Sequence, residues 1–528
     1  MLKSSALYDW PTVGSLLCSA CDRFSSRVAI VDGSTRLTYA DMSSAISRII
    51  QALEDIGLAK GDGIAVLSHN RHEMIFAIAA ANVMGLRFTA LRALGSEDDH
   101  AFVLNDAEIS VLIVDPTDFG ERGIALSRRE GTGHRTLSFG RSSFADDVLE
   151  MMTRFEPQPL VDRAEPDDIV MIGYTGGTTG RPKGVVHTHR SYVAFNMLEL
   201  LEWEWPSELR FLAASPITHA AISWLLPTFL KGGTFVINKG FSPELFLETV
   251  ERERITMSFV VPTMLYALLN CPRRSAFDTS SLENVIYGAA PISTVRLVEA
   301  IEVFGPVFSQ LYGQTEAPTV LAYLPKSEHD PANPDRMLSC GHPTKGVTIK
   351  LLNQQGEEVP VGEVGEICIR GPLVMREYWK QPEITAEVFA DGWLHTGDLA
   401  RRDEEGFLYL AGRAKDMIIS GGFNVYPKEV EDALALHPAV DCSAVIGLPD
   451  SIWGEKVTAI VVLREGLSVE KSDLAAFVKA KKGSDYAPKR IEYVEDIPMT
   501  PLGKFDKVAL RDSFLSAPET SLVTGGTA

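Results

Sequence analysis

The sequence predicts an α/β protein of two unequal domains: a large N-terminal one of mixed sheets flanked by helices, with a small β subdomain, and a smaller α+β C-terminal one. Three observations predict it. The 528 residues are more than one hydrophobic core ordinarily serves. Strand-like apolar runs alternate with helical periodicity through the first part, the pattern of a parallel or mixed sheet with helices on its faces. From residue 412 onward 14 Lys+Arg stand against 17 Asp+Glu, so this last part carries little of the formal charge of −20. The boundary is placed between residues 412 and 413, giving domains 1–412 and 413–528.

The elements follow in order. Residues 37–55 carry apolar side chains at helical spacing, and Gly57 and Gly61 stop the helix. I-A-V-L-S (64–68) reads as a short buried strand, 73–84 as a helix and V-L-I-V-D (111–115) as a second strand. The polar, poorly periodic stretch 120–165 reads as a surface excursion plus linker. I-V-M-I-G (169–173) is a strand that runs into a Gly/Thr-rich loop. S-F-V-V-P (258–262) and N-V-I-Y-G (284–288) are strands, and a helix over 292–303 follows. Between 347 and 371 two β-like runs flank a turn-rich piece with Gly356, Pro360 and Gly362, which gives the small β subdomain. In the last part, 427–436 is a helix with Pro427 in its first turn. Strands follow at 444–448 and 456–463, then a helix at 470–481 and a strand at 490–494. The residues from about 513 are small and polar and are expected to be mobile.

Composition narrows the function. Hydrophobic residues make up 45% and charged residues 23%, the profile of a soluble globular protein. The acidic balance argues against general nucleic-acid binding, which needs a basic footprint. The N-terminus lacks the apolar core of a signal peptide, and no apolar run reaches the roughly 18 residues of a membrane span. Cys18 and Cys21 form a C-x-x-C, but no second pair completes a zinc set. They read as two cysteines on an N-terminal helix, in a reducing cytosol.

The strongest local signal is Y-T-G-G-T-T-G-R-P-K-G-V (174–185). Gly176, Gly177 and Gly180 let the backbone turn sharply and aim N–H groups at phosphate oxygens. Thr175, Thr178 and Thr179 add hydroxyl donors, and Lys183 adds a positive charge. A Walker A loop needs Gly-Lys-Ser/Thr opening a helix. Here Pro182 precedes Lys183 and Gly184 follows it, so that reading is rejected.

With Y-G-Q-T-E (312–316), T-G-D-L (396–399), G-R-A-K-D-M-I-I-S-G-G-F-N-V-Y-P-K-E-V-E (412–431) and P-L-G-K-F-D-K (501–507), the chain resembles the adenylate-forming superfamily: acyl-CoA synthetases, free-standing adenylation domains and firefly-type luciferases. The motifs fall in the family's order and cover essentially residues 10–511. The resemblance implies activation of a carboxylic acid by ATP to an acyl-adenylate, then transfer to coenzyme A. It implies magnesium on Glu316, a phosphate contact from Thr315, adenine against Tyr312 within the Tyr312, Gly313, Gln314 segment, and an adenine-side loop at Gly288, Ala289, Ala290 and Pro291. Asp398 is similar to the residue that accepts both ribose hydroxyls, with Arg413 beside it. Lys504, at the tip of a Pro501/Gly503 turn, matches the catalytic lysine of the first half-reaction. Around Lys415 the chain resembles the family's hinge. The C-terminal domain is therefore expected to be mobile between two poses, one bringing Lys504 in and the other presenting 420–426, where Gly421 and Gly422 line the passage for the thiol.

The acid should lie near S-P-I-T-H-A-A-I-S-W-L-L (215–226), with His219 at the position that closes over it. Amino-acid-activating relatives place an aspartate just after this point. Here Ala220 to Trp224 offer none, so the pocket is expected to be apolar, walled also by Phe259, Val261 and Gly288, and an unpaired ammonium would be costly there. Two departures stand out: Gly176 replaces the usual serine, and L-R-A-L-G-S-E-D-D (91–99) replaces an Asn-Pro-containing turn. The expected function is an AMP-forming acid–CoA ligase acting on a fatty, aromatic or ring-bearing acid, in the cytoplasm, as a homodimer. Loading of a separate carrier protein and non-catalytic nucleotide binding are the alternatives.

Overall fold

The computed structural model describes residues 10–129, 133–175, 182–290, 292–421, 423–450, 452–500 and 505–516. Among these residues the chain forms four sheets. The nine-stranded sheet is built on the parallel strands Arg210–Ala213, Thr234–Ile237, Met257–Val260 and Asn284–Tyr287. Phe308–Gln314 extends it in parallel, and Ala317–Leu324 then turns back antiparallel. Every residue of Met257–Val260 and Asn284–Tyr287 is buried, as parallel strands covered on both faces require.

The eight-stranded sheet centres on Gly63–Leu67, Arg87–Ala90 and Ile109–Val114, again parallel. It ends in the antiparallel pair Ile169–Thr175 and Lys183–Thr188, with Glu377–Tyr378 added at the edge. Helix His72–Met84 is buried from Met74 to Met84 and packs against helices Val13–Arg23 and Tyr39–Asp55. A helix apolar all round belongs in an interior, and its four alanines let its neighbours approach closely. Tyr39–Asp55 begins where it does because Thr38 and Asp41 cap it reciprocally.

The β subdomain is a five-stranded antiparallel sheet in which Val364–Arg370 lies between Thr348–Leu352 and Trp393–Arg402, with Leu408–Arg413 beside the last. The C-terminal part has its own five-stranded sheet, built around Gly454–Leu463, and helices Pro427–Ala435 and Lys471–Lys482. Val430, Leu434, Val445, Val457 and Leu474 form a core separate from that of the larger sheets. Pro427 occupies the first turn of its helix, as its fixed φ favours.

Two expectations need correction. The stretch 120–165 is not simply excursion and linker. Helix Pro116–Arg128 runs into it, Arg135–Ser138 adds a parallel strand to the eight-stranded sheet, and helix Val148–Met152 buries Val148 and Met151. Edge elements this short bury too few side chains to print a period. The chain also stays ordered past residue 513: helix Lys507–Ser516 buries Leu510 against the C-terminal sheet. Residues 517–528 lie outside the described part.

Cys18 and Cys21 sit on helix Val13–Arg23, and burial pushes their thiols up to about 11 and about 12. Such thiols are weak nucleophiles and weak ligands, in keeping with a packing role. No helix among the described residues is long and apolar enough to cross a membrane.

Candidate active site

Three sheets supply one cluster of polar side chains. Strands Ile169–Thr175 and Lys183–Thr188 carry the ends of the Gly/Thr-rich loop, and Thr175 and Lys183 are cross-strand partners. The antiparallel pairing therefore fixes both feet of the loop. Gly176, Gly177, Thr178, Thr179 and Gly180, within it, lie outside the described residues. So do Pro291, Gly422 and Lys504.

Lys183 places its ammonium 5.1 Å from the centre of the Tyr378 ring. The Tyr378 hydroxyl donates to Glu316 Oε1 at 2.7 Å, and Met375 N–H donates to the Glu316 carbonyl at 2.8 Å. The 375–378 segment thus links the phosphate-loop edge to Y-G-Q-T-E. Thr315 is exposed, and its carbonyl is held by His187 Nε2 at 2.8 Å. His187 is fully buried, and burial lowers it to about 4, so the ring is neutral at neutral pH. The tautomer with a proton on Nε2 makes this ring the donor that fixes the Thr315 carbonyl.

The second half of the cluster surrounds Asp398, only 8% exposed. Tyr312, from the nine-stranded sheet, donates its hydroxyl to Asp398 Oδ2 at 2.7 Å. Arg413, the cross-strand partner of Asp398, brings Nε to 3.1 Å from Oδ1. Burial comes first and the facing carboxylate second in raising the Tyr312 phenol far above its ordinary range, so it stays a donor.

The turn that presents Asp398 is itself tied down. Gly397, at φ +71°, donates its N–H to Glu366 Oε1 at 2.9 Å. Thr396 donates its hydroxyl to the Ile367 carbonyl and accepts from Asp398 N–H. Backbone contacts also dictate Gly313. A Cβ there would stand 2.4 Å from Thr319 N, closer than any packed carbon tolerates, so only glycine lets the two strands cross at Y-G-Q-T-E.

On the adenine-side loop, Gly288 is buried against the Leu311 carbonyl, while Ala289 is exposed at φ +66° and Ala290 is half-buried. Backbone in the left-handed region at a non-glycine residue is unusual and marks a shaped turn. Gln314 pairs across the turn with Ala317. His219 is half-buried; burial first and the Arg92 charge second lower it to about 4, and its Nδ1 lies 2.9 Å from the Thr218 hydroxyl. Trp224 and Phe259 stand beside one another with ring centres 4.7 Å apart, and Val261 is half-buried at the start of the next helix. Gly421 lies elsewhere, in a turn of the C-terminal sheet against Trp453, at φ +60°.

Glu316 fits a hard cation. One carboxylate oxygen holds Tyr378, and the other has no hydrogen-bond partner among the described residues. An oxygen ligand of this kind suits magnesium that keeps most of its shell for phosphate and water. Sequence reasoning missed Tyr378, His187 and Glu366. Each acts on a motif residue from a distant stretch of chain, and none carries a local signature of its own.

The model of the AMP-binding enzyme family matches residues 18–379, and that of the AMP-binding enzyme C-terminal domain matches residues 429–504. The chain belongs to the AMP-binding enzyme family. It is 46% identical to the medium/long-chain-fatty-acid–CoA ligase FadD8 of Mycobacterium tuberculosis, over 95% of this chain and 90% of that protein. It is 38% identical to a feruloyl-CoA synthase of Amycolatopsis, over 92% and 96%. Among solved structures it is similar to the amide bond synthetase McbA of Marinactinospora thermotolerans, with a TM-score of 0.89 and 33% identity over 95% and 99% of the two chains.

Proposed function

We propose that this enzyme is an ATP-dependent acid–CoA ligase acting on an apolar carboxylic acid that is fatty, aromatic or ring-bearing. The observation that carries the reading is the convergence of Lys183, the Tyr378–Glu316 pair and the Tyr312–Asp398–Arg413 group from three sheets. A cation, a metal-competent carboxylate and a buried carboxylate beside an aromatic ring are the groups that triphosphate, magnesium, ribose and adenine require.

In the first half-reaction a carboxylate oxygen attacks the α-phosphorus, the bond to the β-phosphate oxygen breaks, and diphosphate leaves. Two anions must meet, so repulsion has to be cancelled where they do. Lys183 and the loop from Thr175 to Gly180 hold the phosphates, and Lys504 neutralises the developing charge. Glu316 would hold magnesium, whose charge would neutralise phosphate oxygens, and Thr315 donates to the phosphate. Asp398 takes the ribose hydroxyls, with Arg413 orienting it. Tyr312, Gly313 and Gln314 enclose the base together with Gly288, Ala289, Ala290 and Pro291. His219, neutral, closes over the acyl group.

In the second half-reaction the CoA sulfur attacks the acyl carbon and the carbon–oxygen bond to AMP breaks. Domain 413–528 turns relative to 1–412 between the two steps, and Gly421 and Gly422 line the thiol passage. The same reading places the protein in the cytoplasm as a homodimer. Loading of a carrier protein differs only in the thiol delivered.

The test incubates the protein with magnesium, ATP, CoA and a panel of acids and follows products by mass spectrometry. Acyl-CoA and AMP in equal amounts are expected from at least one apolar acid. Acyl-adenylate without acyl-CoA would shift the acceptor to a carrier protein, and AMP from none of the acids would contradict the reading.

A further inference from the structure

Behind the two feet of the Gly/Thr-rich loop, one residue ties distant segments together. Asp106 is the last residue of helix Glu97–Asp106. Its Oδ2 accepts from the Tyr174 hydroxyl at 2.5 Å. Its backbone carbonyl accepts from the Trp379 indole N–H at 2.8 Å and from the Lys380 ammonium at 2.9 Å. Tyr174 immediately precedes Thr175, and the backbone N–H of Trp379 donates to the carbonyl of Gly184, next to Lys183, at 2.7 Å. Asp106 therefore holds both strands that carry the loop, one directly and one through Trp379.

The two attachments meet at one place. Tyr174 and Gly184 are cross-strand partners, one register step from the feet Thr175 and Lys183. The packing there is tight: a Cβ on Gly184 would stand 2.9 Å from Ile172 Cγ2 and 3.1 Å from both Trp379 Cβ and Tyr174 Cζ. The Tyr174 ring meets Phe102, on the same helix as Asp106, edge-on with centres 6.4 Å apart. Burial first and the Asp106 hydrogen bond second push the Tyr174 phenol far above its ordinary range, so it stays a donor. Successive side chains of a strand point to opposite faces, so Asp106 grips Tyr174 on the face away from the Thr175 side chain. The residue before Trp379 is Tyr378, which holds Glu316. The same short segment thus joins Asp106 to the metal-competent carboxylate as well.

We propose that Asp106 is a positioning residue for adenylate formation: through Tyr174 and Trp379 it fixes the spacing and aim of Thr175 and Lys183, and with them the triphosphate. This rests on the ligase reading and deepens it, adding a group that lies outside every motif. In-line attack on the α-phosphorus tolerates little displacement, and an error of about 1 Å costs up to about a hundredfold. In thioester formation diphosphate has already left, so the hold on the triphosphate no longer matters.

The test measures the two half-reactions separately with the acid that turns over fastest: diphosphate release from acid and ATP, then thioester formation from the supplied acyl-adenylate and CoA. Tyr174→Phe removes only the hydroxyl, and Trp379→Phe keeps a ring while removing the indole N–H. Each is expected to lower kcat/KM for ATP in diphosphate release by about tenfold or more. KM for the acid and the rate of thioester formation should stay within about twofold of native, which also shows that the variants are folded. Asp106→Ala should lose as much as Tyr174→Phe. The double variant should lose no more than either alone, because the pair acts as a unit. Asp106→Asn, which keeps an acceptor for Tyr174, should recover most of the loss. With the native enzyme active, equal losses in both half-reactions, multiplied losses in the double variant, or variants indistinguishable from native would each overturn the positioning role alone. Absence of diphosphate release from the native enzyme with every acid would overturn the ligase reading and the proposal with it.

Discussion

Replacing Lys504 with alanine is expected to slow acyl-adenylate formation by about a hundredfold to a thousandfold, the usual effect of removing one preorganised donor from a developing charge. The carboxylate and the α-phosphate carry like charges that come together only as the new bond forms. An ammonium placed there is worth more in the transition state than in the ground state, so its loss falls on kcat rather than on binding. Thioester formation has no such meeting of anions. With acyl-adenylate and CoA supplied, the Lys504→Ala enzyme should therefore stay within a few-fold of the native rate, an order-of-magnitude expectation. Single-turnover measurement of both halves checks this. Equal loss in the two would remove Lys504 from the assigned role.

The second large effect is expected at Asp398. It is buried and engaged at one oxygen by Tyr312 and at the other by Arg413. Each carboxylate oxygen still has a lone pair for a ribose hydroxyl. Asp398→Ala removes both acceptors and leaves the Tyr312 hydroxyl unpaired in the interior. The predicted loss is about a hundredfold in kcat/KM for ATP, from two hydrogen bonds to a charged group at about 1.5–3 kcal/mol each, partly offset by water. The native enzyme should discriminate against 2′-deoxy-ATP, whereas the variant should treat the two nucleotides nearly alike. Retained discrimination in Asp398→Ala would show that the ribose is recognised elsewhere.

The parts of this account differ in how they could be read. Y-G-Q-T-E and T-G-D-L were legible because backbone geometry dictates residues there: Gly313 must lack a side chain against Thr319, and Gly397 turns at positive φ. Long buried strands and the helix read over 37–55 were legible because burial leaves periodic traces. Tyr378 was not. It reaches Glu316 across 62 positions of chain, and a tyrosine before a tryptophan says nothing of that alone. Strand Arg135–Ser138 was lost because half of it is exposed or partly exposed at a sheet edge. Local rules carry the elements and the backbone-constrained motifs, and tertiary contacts decide the groups that support them.

The central claim is that the acid is activated as an adenylate. It is tested most directly by supplying an accepted acid labelled with oxygen-18 in both carboxylate positions, together with ATP and CoA. The attacking oxygen becomes the bridge to phosphorus and stays there when the thiol cleaves the acyl carbon–oxygen bond. The account predicts one labelled oxygen in each AMP formed and none in diphosphate. Label in inorganic phosphate, with ADP as the nucleotide product, would mean attack at the γ-phosphate and would contradict it.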